Sequence, residues 1–474
     1  MQDKKQMKTF FLGFSLMISS VSFGQKEIEQ LSNAFKKFEA DSQFKHATIS
    51  LYIIESKTGK PVFDKNSQVG LAPASCQKVV TSAAAFELLG KDYRYRTQLI
   101  YNGHITHDTL FGNLHIYGFG DPTLGSFRWR STTMDNVITN IFKVLRDKNI
   151  KVITGNLTTH EIHWETQATP RGWTWEDMGN YYGAGARGFN WNENQYDMFL
   201  KTGKKIGDEV QIVETKPLLK FSILNELTTG ASGSGDKSII YLPEDGTVGF
   251  IRGTVPAGEP YFKVSGSLPD PSLTFLNAIE DGMQANSTTM MGSLKTNRLL
   301  VYKDKESPIP QTVLLTIESP SLDSINYWFL QKSVNLFGEA FVKTIAYEKT
   351  GFGSTDTGVN IIKDFWSKNG IEKAALNIID GSGLSPANRV TTNALVTVMQ
   401  YAKKQNWSPS FYNALPEQNG IKMKSGYIGG VRSYTGYIKS KSGTEYTFAF
   451  IINNYDGNAG AVREKMWKLL DILK

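Results

Sequence analysis

The chain has 474 residues, 40% of them apolar and 20% charged, with a formal charge of +7. That length implies about two to four domains, and the apolar share excludes wholesale disorder. The single cysteine, Cys76, excludes an intramolecular disulfide, and no basic stripe is interleaved with aromatics, which excludes nucleic acid as the partner class; the spread positive charge suits an anionic wall or membrane surface.

Lys4, Lys5 and Lys8 precede an apolar run from Phe10 to Val21, followed by the small-residue segment Ser22-Phe23-Gly24. This is the order of a secretory signal peptide, residues 1–24, cut before Gln25; the run is too short to span a bilayer. The mature protein is expected in the periplasm or secreted. No later run is apolar enough for a transmembrane helix, so membrane association is at most peripheral.

Glu27 to Phe38 has the period of an amphipathic helix, and Ala47–Ile54 and Pro61–Asp64 read as strands around the Ser56-Lys57-Thr58-Gly59 turn. Ser75 to Leu89 is an apolar-rich, buried helix with Gly90 as its C-terminal cap. From about 93 to 285, short alternating segments lie between Gly, Pro, Asn and Asp signals, which marks a β-rich region. It contains an aromatic-dense stretch from Trp173 to Tyr182. From about residue 286 the helical period returns. Ser324 to Ala346 reads as one long helix, Gly351 to Gly358 as a loop, and Val390 to Lys404 as a helix. Lys422 to Tyr455 reads as strands turned at Gly429-Gly430 and Ser442-Gly443, and Val462 to Leu473 as a closing helix.

Ser75-Cys-Gln-Lys78 places a hydroxyl and an amine three residues apart at a helix start, so both point the same way. Serine is a weak nucleophile until a base takes its proton. Lysine serves as that base when burial or a second cation lowers its pKa from about 10.4. The same spacing recurs at Ser42-Lys45 and at Ser234-Lys237, the latter in a Gly-rich loop where no helix aligns the side chains. Two further motifs follow Ser75 in order: Ser333-Val-Asn335 in a helical segment and Lys424-Ser425-Gly426 at the start of a strand. That order is the signature of penicillin-binding proteins and serine β-lactamases.

Other matches fit less well. Lys57-Thr-Gly59 precedes the serine in a turn, Lys349-Thr-Gly351 lies in a loop, and Lys441-Ser-Gly443 joins two strands. Ser324-Ile-Asn326 is a rival to Ser333-Val-Asn335. Gly183 to Gly188 is a literal GxGxxG with no clear strand before it, and His160-Glu-Ile-His163 lacks the spacing of a zinc-binding helix. No cofactor and no metal are expected.

PASCQK (73–78), GDPTL (120–124), GWTWEDMGNYYGA (172–184), KSVN (332–335), DGSGLS (380–385) and KSGYIGGVRSYTGYI (424–438) span nearly the whole chain. Together they resemble the low-molecular-mass class C penicillin-binding proteins, the D-alanyl-D-alanine carboxypeptidase/endopeptidase family. The resemblance implies an α+β fold. A penicillin-binding, transpeptidase-like (β-lactamase-like) domain would comprise about 25–92 and 286–474, with a β-rich insertion at 93–285.

The resemblance also implies a serine peptidase acting on peptidoglycan stem peptides, with β-lactam antibiotics as inhibitors. Ser75 would be the nucleophile, Lys78 the base, Ser333 a proton relay and Asn335 the residue orienting Lys78 and the substrate amide. Lys424 and Ser425, with Gly426 completing the motif, would bind the terminal carboxylate. The backbone N–H groups of Ser75 and Tyr427 would form the oxyanion hole. Asp177 and Tyr182 match the part of the family that reads a diaminopimelate side chain. The family's basic residue after DGSGLS is Pro386 here, with Arg389 off register. Rival classes are a β-lactamase or esterase on the same fold, for which no separate deacylating base is evident, and a non-catalytic wall-binding module, against which three intact motifs count.

Overall fold

The computed structural model describes residues 27–296 and 312–474; the expected signal peptide lies outside them. An antiparallel sheet joins the early and late parts of the chain. Its strand order is Pro61–Lys65, Thr48–Glu55, Glu445–Asn453, Val431–Lys439, Ile421–Ile428 and Glu417–Gln418. Thr48–Glu55 is buried at nearly every position, as a strand covered on both faces must be. It pairs along its whole length with Glu445–Asn453, from Thr48 opposite Asn453 to Glu55 opposite Tyr446.

One face of this sheet is covered by the helix at 27–39 and by Ala459–Leu470, which bury Leu31, Phe35 and Met466 against Leu51 and Phe450. The other face carries Lys78–Leu88, Leu322–Gln331, Asn335–Thr350, Thr355–Lys368, Thr392–Lys403 and Ser408–Ala414. Val79, Ala83, Phe329, Phe341, Ile362 and Leu395 belong to that core. Each large apolar side chain there contributes about 1.5–3 kcal/mol of transfer free energy.

Between Leu88 and Leu322 the chain leaves this sheet. A five-stranded and a four-stranded sheet enclose one core together with the helices Met134–Asp147 and Pro271–Ala285. Two three-stranded sheets spanning 195–267 enclose another, around Tyr196 and Ile251. The expected boundary at 285 is corrected by strand pairing. Thr289–Met290, Leu294–Thr296 and Thr312–Glu318 pair with Val152–Ile153, Leu157–His160 and Arg96–Tyr101. These strands therefore belong with the sheets built from 96–160 and not with the six-stranded sheet, because pairing partners, which periodicity does not report, decide where a strand belongs.

The single helix expected from Ser324 to Ala346 is two helices, Leu322–Gln331 and Asn335–Thr350. Ser333 sits at the joint with φ of 57°, in the left-handed region, which ends the i to i−4 hydrogen-bond ladder.

Candidate functional site

Ser75 enters the site through a tight turn. Ala74 has φ of 46°, a strained position for a residue with a β-carbon. A 3-10 turn, Ala74–Gln77, follows and runs into the helix Lys78–Leu88, so the regular helix begins at Lys78 rather than at the serine. From Leu71 to Val80 every residue is buried except Ser75, which is half-buried and faces a cavity of about 1070 Å³.

Lys78 is wholly buried. Its Nζ lies 2.9 Å from Ser75 Oγ, 2.7 Å from Asn335 Oδ1 and 2.7 Å from the Ser382 carbonyl oxygen. The amide and peptide oxygens only accept, whereas the serine hydroxyl also donates. A neutral amine has two N–H groups and one lone pair; giving both N–H groups to Asn335 and Ser382 turns the lone pair toward Ser75. Burial, and next the charge of Lys424, hold Lys78 well below the ordinary lysine range, against the opposing pull of Asp380 and Glu339. Burial also lowers Lys424 itself to about 8.

The strand Ile421–Ile428 passes directly against Ser75. A β-carbon on Gly426 would lie 2.3 Å from Ser433 Oγ and 2.9 Å from Ser75 N, so only glycine permits the approach. Ser433 Oγ donates to the Pro73 carbonyl at 2.6 Å, and Cys76 Sγ donates to the Lys424 carbonyl at 3.2 Å, fixing the turn on the strand.

Across the site, Asp380 organises the loop Asp380–Ser385. It accepts from Gln77 Nε2, Asn388 Nδ2, Trp173 Nε1 and the backbone N–H groups of Gly383 and Ser385, all at 2.7–2.9 Å.

Of the residues singled out from sequence, Ser75, Asp177, Tyr182, Ser333, Asn335 and Tyr427 line the cavity. Lys78 lies one layer behind. Lys424 is 2% exposed, and its Nζ donates to the Ser425 carbonyl at 2.9 Å. Ser425 Oγ accepts from Gln418 Nε2 on the edge strand at 3.0 Å. Neither Lys424 nor Ser425 lines the cavity: the Lys424 ammonium is buried against the Ser425 carbonyl, and the Ser425 hydroxyl is engaged by Gln418. Among the described residues Ser333 makes no hydrogen bond to Ser75 or Lys78, whereas Asn335 bridges two parts of the molecule: Oδ1 receives Lys78, and Nδ2 donates to the Tyr182 carbonyl at 2.7 Å. Asp177 accepts from Thr174 Oγ1 at 2.8 Å, with the Tyr182 ring nearby on the same wall. Burial pushes the Asp177 carboxyl up; burial and then the charge of Asp177 push Tyr182 up to about 12.

A half-buried serine beside a buried lysine with a depressed amine, at the wall of a cavity, is equipped for acyl transfer without an imidazole. The family model described as D-Ala-D-Ala carboxypeptidase 3 (S13) matches residues 31–472. The chain belongs to that family.

It is 23% identical over 455 residues to the D-alanyl-D-alanine carboxypeptidase of an Actinomadura species, covering 88% of this chain and 80% of that protein. It is 25% identical over 434 residues to the penicillin-sensitive carboxypeptidase A of Dictyostelium discoideum, covering 80% of this chain and 76% of that one. The crystal structure of penicillin binding protein 4 from Haemophilus influenzae superposes with a TM-score of 0.79 at 19% identity, over 94% of this chain and 99% of that one, and shares its fold. The S13 protein is thus a serine-type D-Ala-D-Ala carboxypeptidase with the α+β fold.

Three buried groups of this S13 site escape a reading of the motifs: Glu339, Lys343 and Asp380. The first two carry a sequence signal. They follow Asn335 by four and eight residues, on the same face of one helix. Asp380 opens the DGSGLS block, where only its place in the fold explains an acidic residue with five donors. Among the described residues no three His, Cys, Asp or Glu side chains converge as metal ligands, and no helix is long and apolar enough to cross a membrane.

Proposed function

We propose that Ser75 attacks the carbonyl of the penultimate D-Ala of a peptidoglycan stem peptide and becomes acylated. The lone pair of Lys78 takes the hydroxyl proton as the Oγ–C bond forms. The C–N bond to the terminal D-Ala breaks, and Ser333 passes the proton from Lys78 to the leaving amine. The N–H groups of Ser75 and Tyr427 hold the oxyanion, and Asn335 orients Lys78 and the substrate amide. Lys424 acts through its charge, drawing the terminal carboxylate into the cavity and depressing Lys78. Water then attacks the ester, its proton returning through Lys78 to Ser75 Oγ.

One observation carries this reading: Lys78 Nζ stands 2.9 Å from Ser75 Oγ while its two other partners only accept. The cavity is larger than a D-Ala-D-Ala dipeptide requires, with Asp177 and Tyr182 on its wall. These two receive the amine-bearing end of a diaminopimelate-type side chain, and the same machinery cleaves D-linked crosslinks as an endopeptidase. β-Lactams acylate Ser75 in place of substrate; the Haemophilus influenzae protein was crystallised in complex with a β-lactam. The signal-like sequence before Gln25 supports export to the periplasm or outside the cell, and N-terminal sequencing of exported protein tests that directly. For the chemistry, intact-mass analysis after penicillin should show one adduct on the peptide containing Ser75, and release of D-Ala from a pentapeptide should be lost in Ser75→Ala. An adduct that persists in Ser75→Ala refutes the assignment.

A further inference from the structure

We propose that Glu339 is a positioning residue for Lys78, acting through the Gly381-Ser382 turn. The inference rests on the roles given above to Ser75 and Lys78. Glu339 is wholly buried and lies one helical turn beyond Asn335 on the same face of the helix Asn335–Thr350. Its carboxyl oxygens accept one N–H each, from Gly381 at 2.9 Å and from Ser382 at 2.8 Å. The carbonyl of that same Ser382 receives Lys78 Nζ at 2.7 Å.

The Gly381 side of the turn is anchored in two further ways. A β-carbon on Gly381 would lie 2.4 Å from the Gly338 carbonyl, so the turn rests on the helix backbone itself. Thr81 Oγ1 donates to the Gly381 carbonyl at 2.7 Å, tying the same turn to the helix that carries Lys78. One face of the Asn335–Thr350 helix thereby fixes both pure acceptors around Lys78: Asn335 directly, and Ser382 through the Glu339 clip. Those acceptors consume the two amine N–H groups and aim the lone pair at Ser75 Oγ. The Ser382 carbonyl shares its peptide plane with the Gly383 N–H, which Asp380 receives at 2.9 Å; without the clip that plane is held from one side alone, and the amine loses part of its fixed orientation. Burial and the neighbouring Asp380 raise Glu339, while the two backbone N–H donors on its oxygens favour the carboxylate and hold it down. Its negative charge in turn raises Lys78.

The test uses Glu339→Gln in the full-length protein, with a fluorescent penicillin as probe. Glutamine keeps the shape but turns an NH2 group toward one of the two backbone N–H donors and removes the charge. The acylation rate constant should fall by about 10- to 100-fold, as expected when a reacting group is misaligned by a fraction of an ångström or more. The dissociation constant of the complex that precedes acylation should stay at the wild-type value. The acid-side midpoint of the pH–rate profile should move to lower pH, because the carboxylate that supports the Lys78 ammonium is gone. Glu339→Asp, which keeps the charge and shortens the reach, should restore part of the rate and the wild-type midpoint. The proposal is overturned if Glu339→Gln acylates at the wild-type rate, or if its loss matches a fall in folded fraction with the midpoint unmoved. Should Glu339→Gln fail to fold, Glu339→Asp decides alone: a lowered rate with unchanged pre-acylation binding supports the clip, and a wild-type rate overturns it. A wild-type protein that takes no label at Ser75 sinks the underlying reading instead, and that control separates the two.

Discussion

Replacing Asn335 by Asp exchanges an amide for a carboxylate of the same shape, at the point where Lys78 Nζ donates at 2.7 Å. Opposite unit charges at that distance attract by about 6 kcal/mol at an effective dielectric constant of about 20. The neutral hydrogen bond already present accounts for about 1–2 kcal/mol of this. The second carboxylate oxygen of Asp would face the Tyr182 carbonyl, to which Asn335 Nδ2 now donates at 2.7 Å, and that unpaired contact costs about 1–3 kcal/mol more. About 1–4 kcal/mol is left to favour ammonium over amine, roughly a 5- to 900-fold loss of the proton-accepting form at neutral pH. The assay is the second-order rate of acylation by a fluorescent penicillin, followed from about pH 5 to pH 10. A base whose pKa has been raised becomes available only at higher pH. The acid limb of Asn335→Asp should therefore move upward, and much of the rate should return in alkaline buffer. A uniform loss with the wild-type midpoint would show that Lys78 is not the group whose protonation controls acylation.

Lys424→Met removes the second-largest cause of the depression of Lys78, so the acid limb should again move to higher pH. Loss of the charge-assisted interaction with substrate should cost about 1.5–3 kcal/mol, or about 10- to 150-fold in kcat/KM for D-Ala release; an unmoved profile with full activity removes Lys424 from the site. Lys57→Ala and Lys349→Ala, both at exposed positions, should stay within about 0.5 kcal/mol of wild type in stability and turn over normally; if Lys349→Ala abolishes turnover while Lys424→Ala does not, the third motif is misassigned. The buried ring of His160 is held down to about 4 by burial and then by His115, 3.0 Å away. The native state therefore binds this proton less readily than the unfolded chain. The stability it confers is fully present above about pH 6.5 and is lost as pH falls toward 4, by about 3 kcal/mol. His160→Gln should flatten the dependence of Tm on pH across that window, and parallel curves for the two proteins would refute the argument.

The parts of the site visible in the sequence are those whose chemistry depends on local spacing. Ser75 and Lys78 lie three residues apart where a 3-10 turn runs into a helix, and Lys424 lies inside a strand, not at its start, in a run whose turns at Gly429-Gly430 and Ser442-Gly443 announce themselves by residue type. What escaped is non-local. The break at Ser333 is invisible to a count of apolar positions, because the residues on either side keep the helical period while one left-handed φ redirects the chain. The strands at 289–318 read as part of the catalytic domain until their partners at 96–160 are known. The acidic residue of DGSGLS carries no periodic signal, since its five donors come from a helix side chain, an inserted tryptophan and its own loop.

The helix Asn335–Thr350 explains why an insertion of this size belongs to the site. Its buried polar face carries Asn335, Glu339 and Lys343, and two of the three are satisfied by backbone from the insertion. Asn335 donates to the carbonyl of Tyr182. Lys343 Nζ donates to the carbonyls of Gln167 and Ala186 at 2.6 and 2.8 Å and pairs with Glu165 at 3.1 Å. Burial lowers Lys343, as it does Lys78, and these acceptors, with the nearby carboxyl groups of Glu244 and Glu339, offset the cost of enclosing its charge. A buried donor left without a partner costs about 1–3 kcal/mol, and more when it is charged. The same contacts that stabilise the helix also set the angle of the Asn335 amide, and through it the direction of the Lys78 lone pair. In the proposed mechanism, these contacts from residues 165–186 help to orient Lys78 as well as shaping the cavity wall.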